Sequence, residues 1–262
     1  MTVISLTTDF GEEDGYVGVM KGVIWSIDPS IQIADISHAI LPQNILQGAV
    51  ILARSAKFFP PGSIHVAVVD PGVGTTRLPI VIQLGDQIYV GPDNGLFTLV
   101  VMESRKNNQQ ERFFTITESK YWLPGVSQVF HGRDIFAPVA AHIAKGIKLD
   151  KIGREIKNIF LLSVPKPEKY GKKILGNVLY IDHFGNISTN ISTEDLGGGT
   201  NIHLIINGRE FPGISRTFAE KEIGEFVLYF GSSGNLNLGK VNGNAARDLK
   251  VEPGDPVHVK LL

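Results

Sequence analysis

The chain has 262 residues, 43% of them hydrophobic and 19% charged, which suits a globular protein with one large domain or two unequal ones. Its formal net charge of -1 excludes a strongly basic face for nucleic acid, and no polybasic cluster indicates binding to anionic lipid. Cysteine is absent, which excludes disulfides, thiolate nucleophiles and zinc–cysteine sites.

The N-terminal segment MTVISLTTDFG has neither the basic region nor the long apolar region of a signal peptide. No apolar run approaches the length of a membrane span. We therefore expect a cytoplasmic protein that interacts with neither nucleic acid nor membranes.

Strand and helix patterns alternate through the first part of the chain. Apolar runs over 3–8, 31–36 and 64–69 predict strands, and apolar residues at helical spacing over 17–27 and 45–56 predict helices between them. This order of strands and helices favours a mainly parallel sheet covered by helices.

The remainder of this part, which we predict to be an α/β domain over 1–165, carries weaker patterns. Residues 79–90 predict a hairpin that turns at a Gly-Asp pair, and a helix is predicted from about residue 96. Residues 104–120 are polar and indicate a surface excursion. A further helix is predicted from about 134 to 145, with a proline in its first turn.

The composition changes at SVPKPEKYGKK, which predicts an exposed connector over about 163–173. Beyond it, short apolar runs separated by turn residues predict strands, and an Asn-Gly pair at 207–208 predicts a hairpin turn. We expect a small antiparallel β-barrel over 174–262. The predicted strands cover 174–182, 202–206, 226–230 and 257–261.

Two aspartates follow predicted strands of the first domain, at the edge where ligands of parallel α/β sheets bind. Asp9 ends the first strand in TTDFG, and Asp70 ends the third in VVDPGVGTTR. The glycines that follow allow a ligand to approach the backbone, and a carboxylate suits the paired hydroxyls of a ribose. Capping of a turn is an equally good interpretation of each aspartate taken alone.

The segment FHGRDIFAP brings His131, Arg133 and Asp134 together before a predicted helix. A histidine can exchange protons or orient water near neutral pH, and a structural histidine explains this position equally well. For the other two residues a structural role is the simpler interpretation, with Asp134 as a helix N-cap and Arg133 as its ion-pair partner.

Polar and aromatic residues of the second domain form two further clusters. In IDHFGNISTN, Asp182 follows a strand, Phe184 offers a flat face, and Asn186 offers an amide that matches the edge of a purine. Phe218 in RTFAE is another candidate wall for a ring, although single aromatic residues more often belong to the core. The turn YFGSSGN exposes hydroxyls and amides suited to a carboxylate, and a plain hairpin explains it as well.

No nucleotide-phosphate signature is present, because the chain has neither a Walker sequence nor a G-x-G-x-x-G that opens a helix. The histidines lack metal-ligand spacing such as H-E-x-x-H, so no metal site is predicted. These patterns identify no cofactor.

In combination, the motifs resemble one family over nearly the whole chain. LTTDFG…YVGVMKG, VVDPGVGT..R, PDNGL, FHGRDIFAP, IDHFGN and GSSG…GNAA are similar, in this order, to motifs of the S-adenosyl-L-methionine (SAM) hydroxide adenosyltransferases, the adenosine-forming SAM hydrolases. These enzymes are similar to the SAM-dependent fluorinase and chlorinase. The resemblance implies an N-terminal α/β catalytic domain, a C-terminal β-barrel, and a homotrimer with the ligand between subunits.

The resemblance also implies the catalytic residues. In the hydrolases an aspartate, an arginine and a histidine hold a water at the reacting carbon, and the matching positions here are Asp70, Arg77 and His131. The halogenases lack this acid and this histidine, so the resemblance favours water over halide. The expected reaction is in-line attack of an oxygen nucleophile on the ribose 5′ carbon, which releases adenosine and methionine without a cofactor or a metal.

Substrate contacts are implied in the same way. Asp9 is expected to bind the ribose hydroxyls, Asp182 the methionine amine, and Asn186 the adenine. Phe184 and Phe218 are expected to line the adenine pocket. Ser232 and Ser233 are expected to hold the methionine end. Lys240 is expected to pass adenine mainly through backbone groups.

Two other functions fit parts of the pattern. Halide transfer on the same scaffold would give 5′-halo-adenosine, and the presence of Asp70 and His131 argues against it. A non-catalytic adenosine or SAM sensor would bind adenosine tightly with negligible turnover.

Overall fold

The computed structural model describes residues 2–262, which form two compact units that adjoin in sequence at Leu162 and Ser163. Each unit has its own sheet and its own hydrophobic core. Among the described residues, no helix combines the length and the apolar character that crossing a bilayer requires.

The first unit is built on one mixed sheet. Its strands, numbered along the chain, are β1 Val3–Thr8, β2 Gln32–Ser37, β3 Ile64–Val68, β4 Pro79–Leu84, β5 Gln87–Pro92, β6 Glu111–Thr115 and β7 Glu155–Ile156. They pair in the order β2-β1-β3-β5-β4-β6-β7. The first four in this order run parallel and the remaining pairs are antiparallel. The predicted mainly parallel sheet is therefore only partly right, because the hairpin of β4 and β5 reverses the chain direction inside the sheet.

Residues 104–120 are not the surface excursion predicted for them. They contain β6, which pairs with β4 along its whole length and buries Phe113 and Phe114. The polar residues on both sides concealed this short run, although its two aromatic residues favour a strand.

Helices cover both faces of this sheet. One buried cluster combines α1 and α4 with Leu6 and Val66, and another combines α2 and α3 with Ala67 and Ile82. Because β3 is buried on both faces, its sequence IHVAV is apolar apart from the buried His65, and this short apolar run predicted the strand. The helices are α1 Tyr16–Ile27, α2 Ile45–Ala56, α3 Thr98–Lys106 and α4 Ala137–Ala144.

A π-helical turn, Gly132–Phe136, leads directly into α4. The predicted helix start at 134 is therefore two residues late, and His131 occupies the N-cap position. Asp134 does not cap the helix, because its carboxylate accepts the Ser127 backbone N–H at 2.8 Å. The predicted ion pair with Arg133 is confirmed at 2.6 Å.

Gly91 lies in β5 beside β3, where both strands are buried. A Cβ at this position would lie 2.2 Å from the Ala67 carbonyl oxygen and 2.9 Å from the Phe97 ring. Because a central strand cannot move aside, we expect Gly91→Ala to lower the free energy of unfolding by about 1 to 3 kcal/mol. Urea denaturation of the purified protein measures this change.

Gly22→Ala is the matched control for this substitution. Gly22 lies on α1, is exposed, and a Cβ there would meet no atom within 4 Å. Glycine in a helix is about 1 kcal/mol less favourable than alanine, so this variant should be at least as stable as the wild type. Equal stability of the two variants would contradict the close packing at Gly91.

The second unit is an antiparallel sheet that closes almost completely into a barrel. Its strands are β8 Glu168–Tyr170, β9 Lys173–Ile181, β10 Ile187–Ser192, β11 Ile202–Ile206, β12 Arg209–Pro212, β13 Phe226–Phe230, β14 Asn235–Lys240 and β15 Pro256–Leu261, with one short helix, α5 Ala245–Leu249. They pair in the order β12-β11-β15-β9-β10-β14-β13, and β8 adds to β9. The two edge strands approach each other, since the rings of Phe211 and Phe226 lie 5.0 Å apart.

Most strand predictions for this unit are confirmed within a residue at each end. Those for 202–206 and 226–230 agree residue for residue, and the Asn-Gly pair joins β11 to β12 as a hairpin. In β11, alternate apolar residues face the core, which is the pattern that made the strand recognisable. The segment 163–173, predicted as a connector, contains β8, which is paired with β9.

Candidate active site

The carboxyl ends of β1 and β3 lie side by side and carry the two aspartates noted in the sequence. The strands pair in parallel, with Thr8 opposite Val68. Asp9 directly follows β1, and Asp70 lies two residues beyond β3. Both carboxylates therefore lie at the edge where α/β sheets bind ligands.

Arg77 returns to Asp70 across a tight loop, residues 70–77, which we call the return loop. Its Nε lies 3.0 Å from Oδ1 of the carboxylate and its Nη2 lies 2.5 Å from Oδ2, so the two groups form a two-point ion pair. The side chain of Arg77 is 8% exposed and that of Asp70 is 5% exposed. The return loop thus brings a largely buried cation back to the acid at its start.

Glycine lets the return loop pack against the segment before His131. Gly74 has a φ of +76°, and a Cβ there would lie 2.4 Å from the Gln128 carbonyl oxygen. This close approach brings Arg77 and His131 together, although 54 positions separate them in sequence.

His131 receives a hydrogen bond from Arg77. The guanidinium Nη2 lies 2.8 Å from Nδ1 of the imidazole. A guanidinium has only donors, so Nδ1 must be the acceptor and bear no proton. The neutral imidazole therefore carries its proton on Nε2, on the side of the ring away from Arg77.

The surroundings keep this imidazole neutral. Burial lowers the pKa of His131 below the ordinary value of 6.5, and the positive charge of Arg77 lowers this pKa further. Asp70 and Asp134 act in the opposite direction without reversing the shift. At pH 7 His131 is therefore neutral and offers Nε2–H as a hydrogen-bond donor.

Asp9, Asp70 and His131 line one cavity of about 600 Å³ in the first unit. Arg77 is not one of the lining residues, but it donates hydrogen bonds to Asp70 and His131, which are. The volume lies within the range of about 300–1,000 Å³ that is usual for small-molecule sites. The structure thus brings together four of the residues selected from the sequence.

Three aromatic rings that the sequence analysis did not select form a wall of the same cavity. Phe10, Tyr16 and Phe130 meet edge to face, with ring centroids 5.3 to 5.9 Å apart. Phe10 and Phe130 directly adjoin Asp9 and His131 in sequence, and this adjacency is the signal that could have identified them. An apolar wall beside charged groups suits a ligand with both apolar and polar parts.

Asp9 is held by the loop that follows β2. Its Oδ2 accepts the backbone N–H of Gln43 at 2.7 Å. Gln43 has a φ of +65°, which is uncommon for a residue with a side chain. The carboxylate has further lone pairs for hydroxyl groups of a ligand.

In the second unit, Asp182 and Asn186 are hydrogen-bonded to each other. Oδ1 of Asp182 accepts the backbone N–H groups of Phe184 and Asn186, and Oδ2 accepts from the Asn186 side chain at 2.8 Å. These bonds organise the turn between β9 and β10. Asn186 retains one N–H and its carbonyl oxygen for a ligand.

Asn186 and Phe218 approach each other at Gly239. A Cβ at Gly239 would lie 2.6 Å from both the Asn186 Oδ1 and the Phe218 ring. Phe218 also contacts the ring of Tyr229, with centroids 5.0 Å apart. The bare backbone of Gly239 therefore allows an amide and an aromatic ring to lie together in this unit.

The remaining predicted contacts differ in their surroundings. Phe184 is 73% exposed. Ser232 and Ser233 lie in the turn between β13 and β14. The Lys240 ammonium lies 2.5 Å from Oδ2 of Asp248, so the two side chains form an ion pair.

Two family models match the chain. The SAM hydroxide adenosyltransferase N-terminal domain matches residues 4–153. The SAM hydroxide adenosyltransferase C-terminal domain matches residues 176–258. Together the two matches cover most of both units.

Known proteins resemble the chain over its whole length. It is 36% identical to an (R)-S-adenosyl-L-methionine hydrolase of Thermus thermophilus, over 99% of this chain and 100% of the relative. A protein of the same name from Methanocaldococcus jannaschii is also 36% identical, over 99% and 96%. The fluorinase of Nocardia brasiliensis is 28% identical, over 99% and 97%. The crystal structure of an uncharacterized conserved protein from Thermotoga maritima superposes with a TM-score of 0.91 at 35% identity, over 98% of this chain and 99% of that chain.

Proposed function

Because this chain belongs to the SAM hydroxide adenosyltransferase family, we propose that it hydrolyses S-adenosyl-L-methionine to adenosine and L-methionine. The observation that carries the proposal is the hydrogen-bonded set of Asp70, Arg77 and His131 at a cavity that Asp9 also lines. Relatives named as hydrolases are 34% to 36% identical to the chain, whereas relatives named as fluorinases are 27% to 28% identical.

The chemistry requires an aligned oxygen nucleophile, because the sulfonium already makes methionine a neutral leaving group. Water attacks the ribose 5′ carbon in line, the new C–O bond forms, and the electron pair of the C–S bond passes to sulfur. Holding the two reactants in this alignment contributes about 7 to 11 kcal/mol. Positioning of the water is therefore the main task of the site.

Three side chains share that task. His131 donates Nε2–H to the water oxygen, because its Nδ1 accepts from Arg77. Asp70 accepts a water hydrogen through a remaining lone pair and takes the proton as the C–O bond forms. Arg77 balances the charge of Asp70 and holds both neighbours in place. In this assignment His131 is a donor and not the general base.

The substrate contacts expected from the family are part of the proposal. The carboxylate of Asp9 at the cavity wall supports binding of the ribose hydroxyls. Asn186 and Phe218, which approach each other at Gly239, support a contact with adenine. Asp182 binds the methionine amine through a lone pair left on Oδ2. The family assigns the remaining contacts to Phe184, Ser232, Ser233 and Lys240.

The proposal also covers the oligomeric state of the protein, its cellular location and the role of each domain. We propose a cytoplasmic homotrimer that needs no cofactor, as the family resemblance and the sequence imply. Catalysis is assigned to the α/β domain over 1–165, followed by a connector over about 163–173 and the barrel over 174–262.

Labelling with heavy oxygen tests the reaction. Purified protein is incubated with SAM in heavy-oxygen water, and the adenosine is analysed by mass spectrometry. We expect adenosine with one heavy oxygen at the 5′ position and unlabelled methionine. The relatives are named for (R)-S-adenosyl-L-methionine, and because L specifies the α-carbon of methionine, (R) refers to the sulfonium centre. Both sulfonium epimers are therefore assayed, and the (R) epimer should react faster.

Unlabelled adenosine, or no adenosine from either epimer, would contradict the proposed hydrolysis. Parallel reactions with chloride and fluoride test the halogenase alternative, which would yield 5′-halo-adenosine. Tight binding of adenosine without turnover would indicate a sensor instead.

A further inference from the structure

The turn over residues 92–95 carries the motif PDNG, to which the proposed function assigns no role. This turn begins at the last residue of β5 and bonds to the two residues that flank the return loop. The side-chain Nδ2 of Asn94 donates to the Val69 carbonyl at 2.8 Å. The backbone N–H of Asp93 donates to the Leu78 carbonyl at 2.9 Å.

These two bonds close the base of the return loop. Val69 directly precedes Asp70, and Leu78 directly follows Arg77. Two consecutive residues of one turn therefore set the distance between the backbones that carry the carboxylate and the guanidinium. We propose that Asn94 is a positioning residue that holds Asp70 onto Arg77, an inference that rests on the proposed hydrolysis.

The bonds at position 94 require an amide. Oδ1 of Asn94 accepts the Leu96 backbone N–H at 3.2 Å while Nδ2 donates to Val69. An asparagine has a donor and an acceptor on one short planar group, so it makes both bonds at once. An aspartate at this position would keep the acceptor but would face the Val69 carbonyl with a second oxygen.

Other contacts keep the turn itself in place. Gly95 has a φ of +93°, and a Cβ there would lie 2.6 Å from the Leu162 side chain. The Asp93 carboxylate accepts the Phe160 backbone N–H at 2.7 Å. Because the turn is held independently of the return loop, it can act as a fixed support for that loop.

Asn94→Asp tests this role without changing the size of the side chain. At pH 8 the introduced carboxylate repels the Val69 carbonyl, and we expect kcat for SAM hydrolysis to fall roughly 10- to 100-fold. Burial beside a carbonyl raises the pKa of the introduced carboxyl group, so at pH 5 it takes up a proton and donates again. The ratio of variant to wild-type kcat should therefore rise as the pH falls. If Asn94 only stabilised the fold, Asn94→Asp would lower Tm, and the ratio of variant to wild-type kcat would not rise as the pH falls.

Nitrogen NMR of the histidines gives a readout that does not depend on turnover. In the wild type, Nδ1 of His131 should have the chemical shift of an unprotonated acceptor, and Nε2 that of a protonated nitrogen. In Asn94→Asp at pH 8, displacement of the return loop moves Arg77 and should change the Nδ1 shift. Unchanged His131 signals would overturn the positioning role.

Asn177→Asp is the matched control. The Asn177 Nδ2 donates to the Gly254 carbonyl at 3.0 Å in the second unit, so this substitution removes the same kind of bond. We expect wild-type kcat and unchanged His131 signals; a rate loss as large as that of Asn94→Asp would overturn the inference. Absence of adenosine from the wild type would refute the hydrolysis, whereas unmoved His131 signals would refute the positioning role, so the two failures are distinguishable.

Discussion

Arg77→Met is expected to lower kcat for SAM hydrolysis by about 10²- to 10³-fold, with little change in the Kd for adenosine. The substitution removes the group that donates to both Asp70 and His131. The carboxylate then loses its partner, and nothing holds the imidazole in the tautomer with a proton on Nε2. Steady-state production of adenosine measures kcat, and calorimetry with adenosine measures binding.

Arg105→Met is the control for loss of an arginine. Arg105 is 52% exposed and pairs with Glu111 at 3.2 Å on the surface. Such pairs contribute about 0 to 1 kcal/mol, so neither kcat nor stability should change much. A kcat for Arg77→Met equal to that of Arg105→Met would contradict a catalytic role for Arg77.

Adding Asp70→Asn to Arg77→Met separates catalysis from stability. Removal of one partner of a buried ion pair costs about 3 to 5 kcal/mol, because the other charge remains buried alone. Removal of both charges should therefore restore much of the free energy of unfolding but none of the activity. Recovery of the rate in the double variant would show that the pair is structural.

His131→Gln is expected to retain more activity than His131→Asn or His131→Ala. A glutamine amide can place an N–H near the position of Nε2, whereas an asparagine oxygen can accept from Arg77 but supplies no donor at that position. We expect a loss of about tenfold for Gln and about 10²-fold or more for Asn and Ala. If His131 were the general base, all three variants would lose activity equally.

The pH dependence provides a second test of the same assignment. Burial and the charge of Arg77 lower the pKa of His131, so the folded protein resists a proton that the unfolded chain accepts below pH of about 6.5. The free energy of unfolding of the wild type should therefore decrease as the pH falls below about 6.5. The decrease should be smaller in His131→Gln. Below pH 6.5, the profiles of kcat for the two proteins should run parallel. An acid limb below pH 6.5 in the wild type alone would make His131 the base.

Local patterns in the sequence were sufficient for much of the fold and for the two aspartates of the candidate site. Buried parallel strands are rich in apolar and β-branched residues, so β1 and β3 could be recognised, and with them Asp9 and Asp70 beyond their ends. Alternating burial likewise revealed β11. The ordered motifs then identified Arg77 and His131 through their resemblance to one family.

The same local patterns failed where an element depended on its neighbours. β6 is short and lies between polar segments, and it is a strand because β4 supplies its partner. The direction in which distant strands pair is also invisible to periodicity, so the antiparallel pairs beyond the predicted 79–90 hairpin were not foreseen. The π-helical turn before α4 was missed for another reason, since its hydrogen bond from the Ala137 N–H to the Gly132 carbonyl spans five residues and departs from the α-helical repeat.

The sequence by itself determined the strands that end near Asp9 and Asp70, because burial leaves a pattern of apolar residues along the chain, and its ordered motifs pointed to Arg77 and His131 only through a family resemblance. Only the tertiary structure decided what each side chain bonds to. The contact of Arg77 with His131 spans 54 positions and that of Asn94 with Val69 spans 25. Donor–acceptor pairing depends on the packing of distant segments, so the tautomer of His131 follows from the fold and from no local pattern.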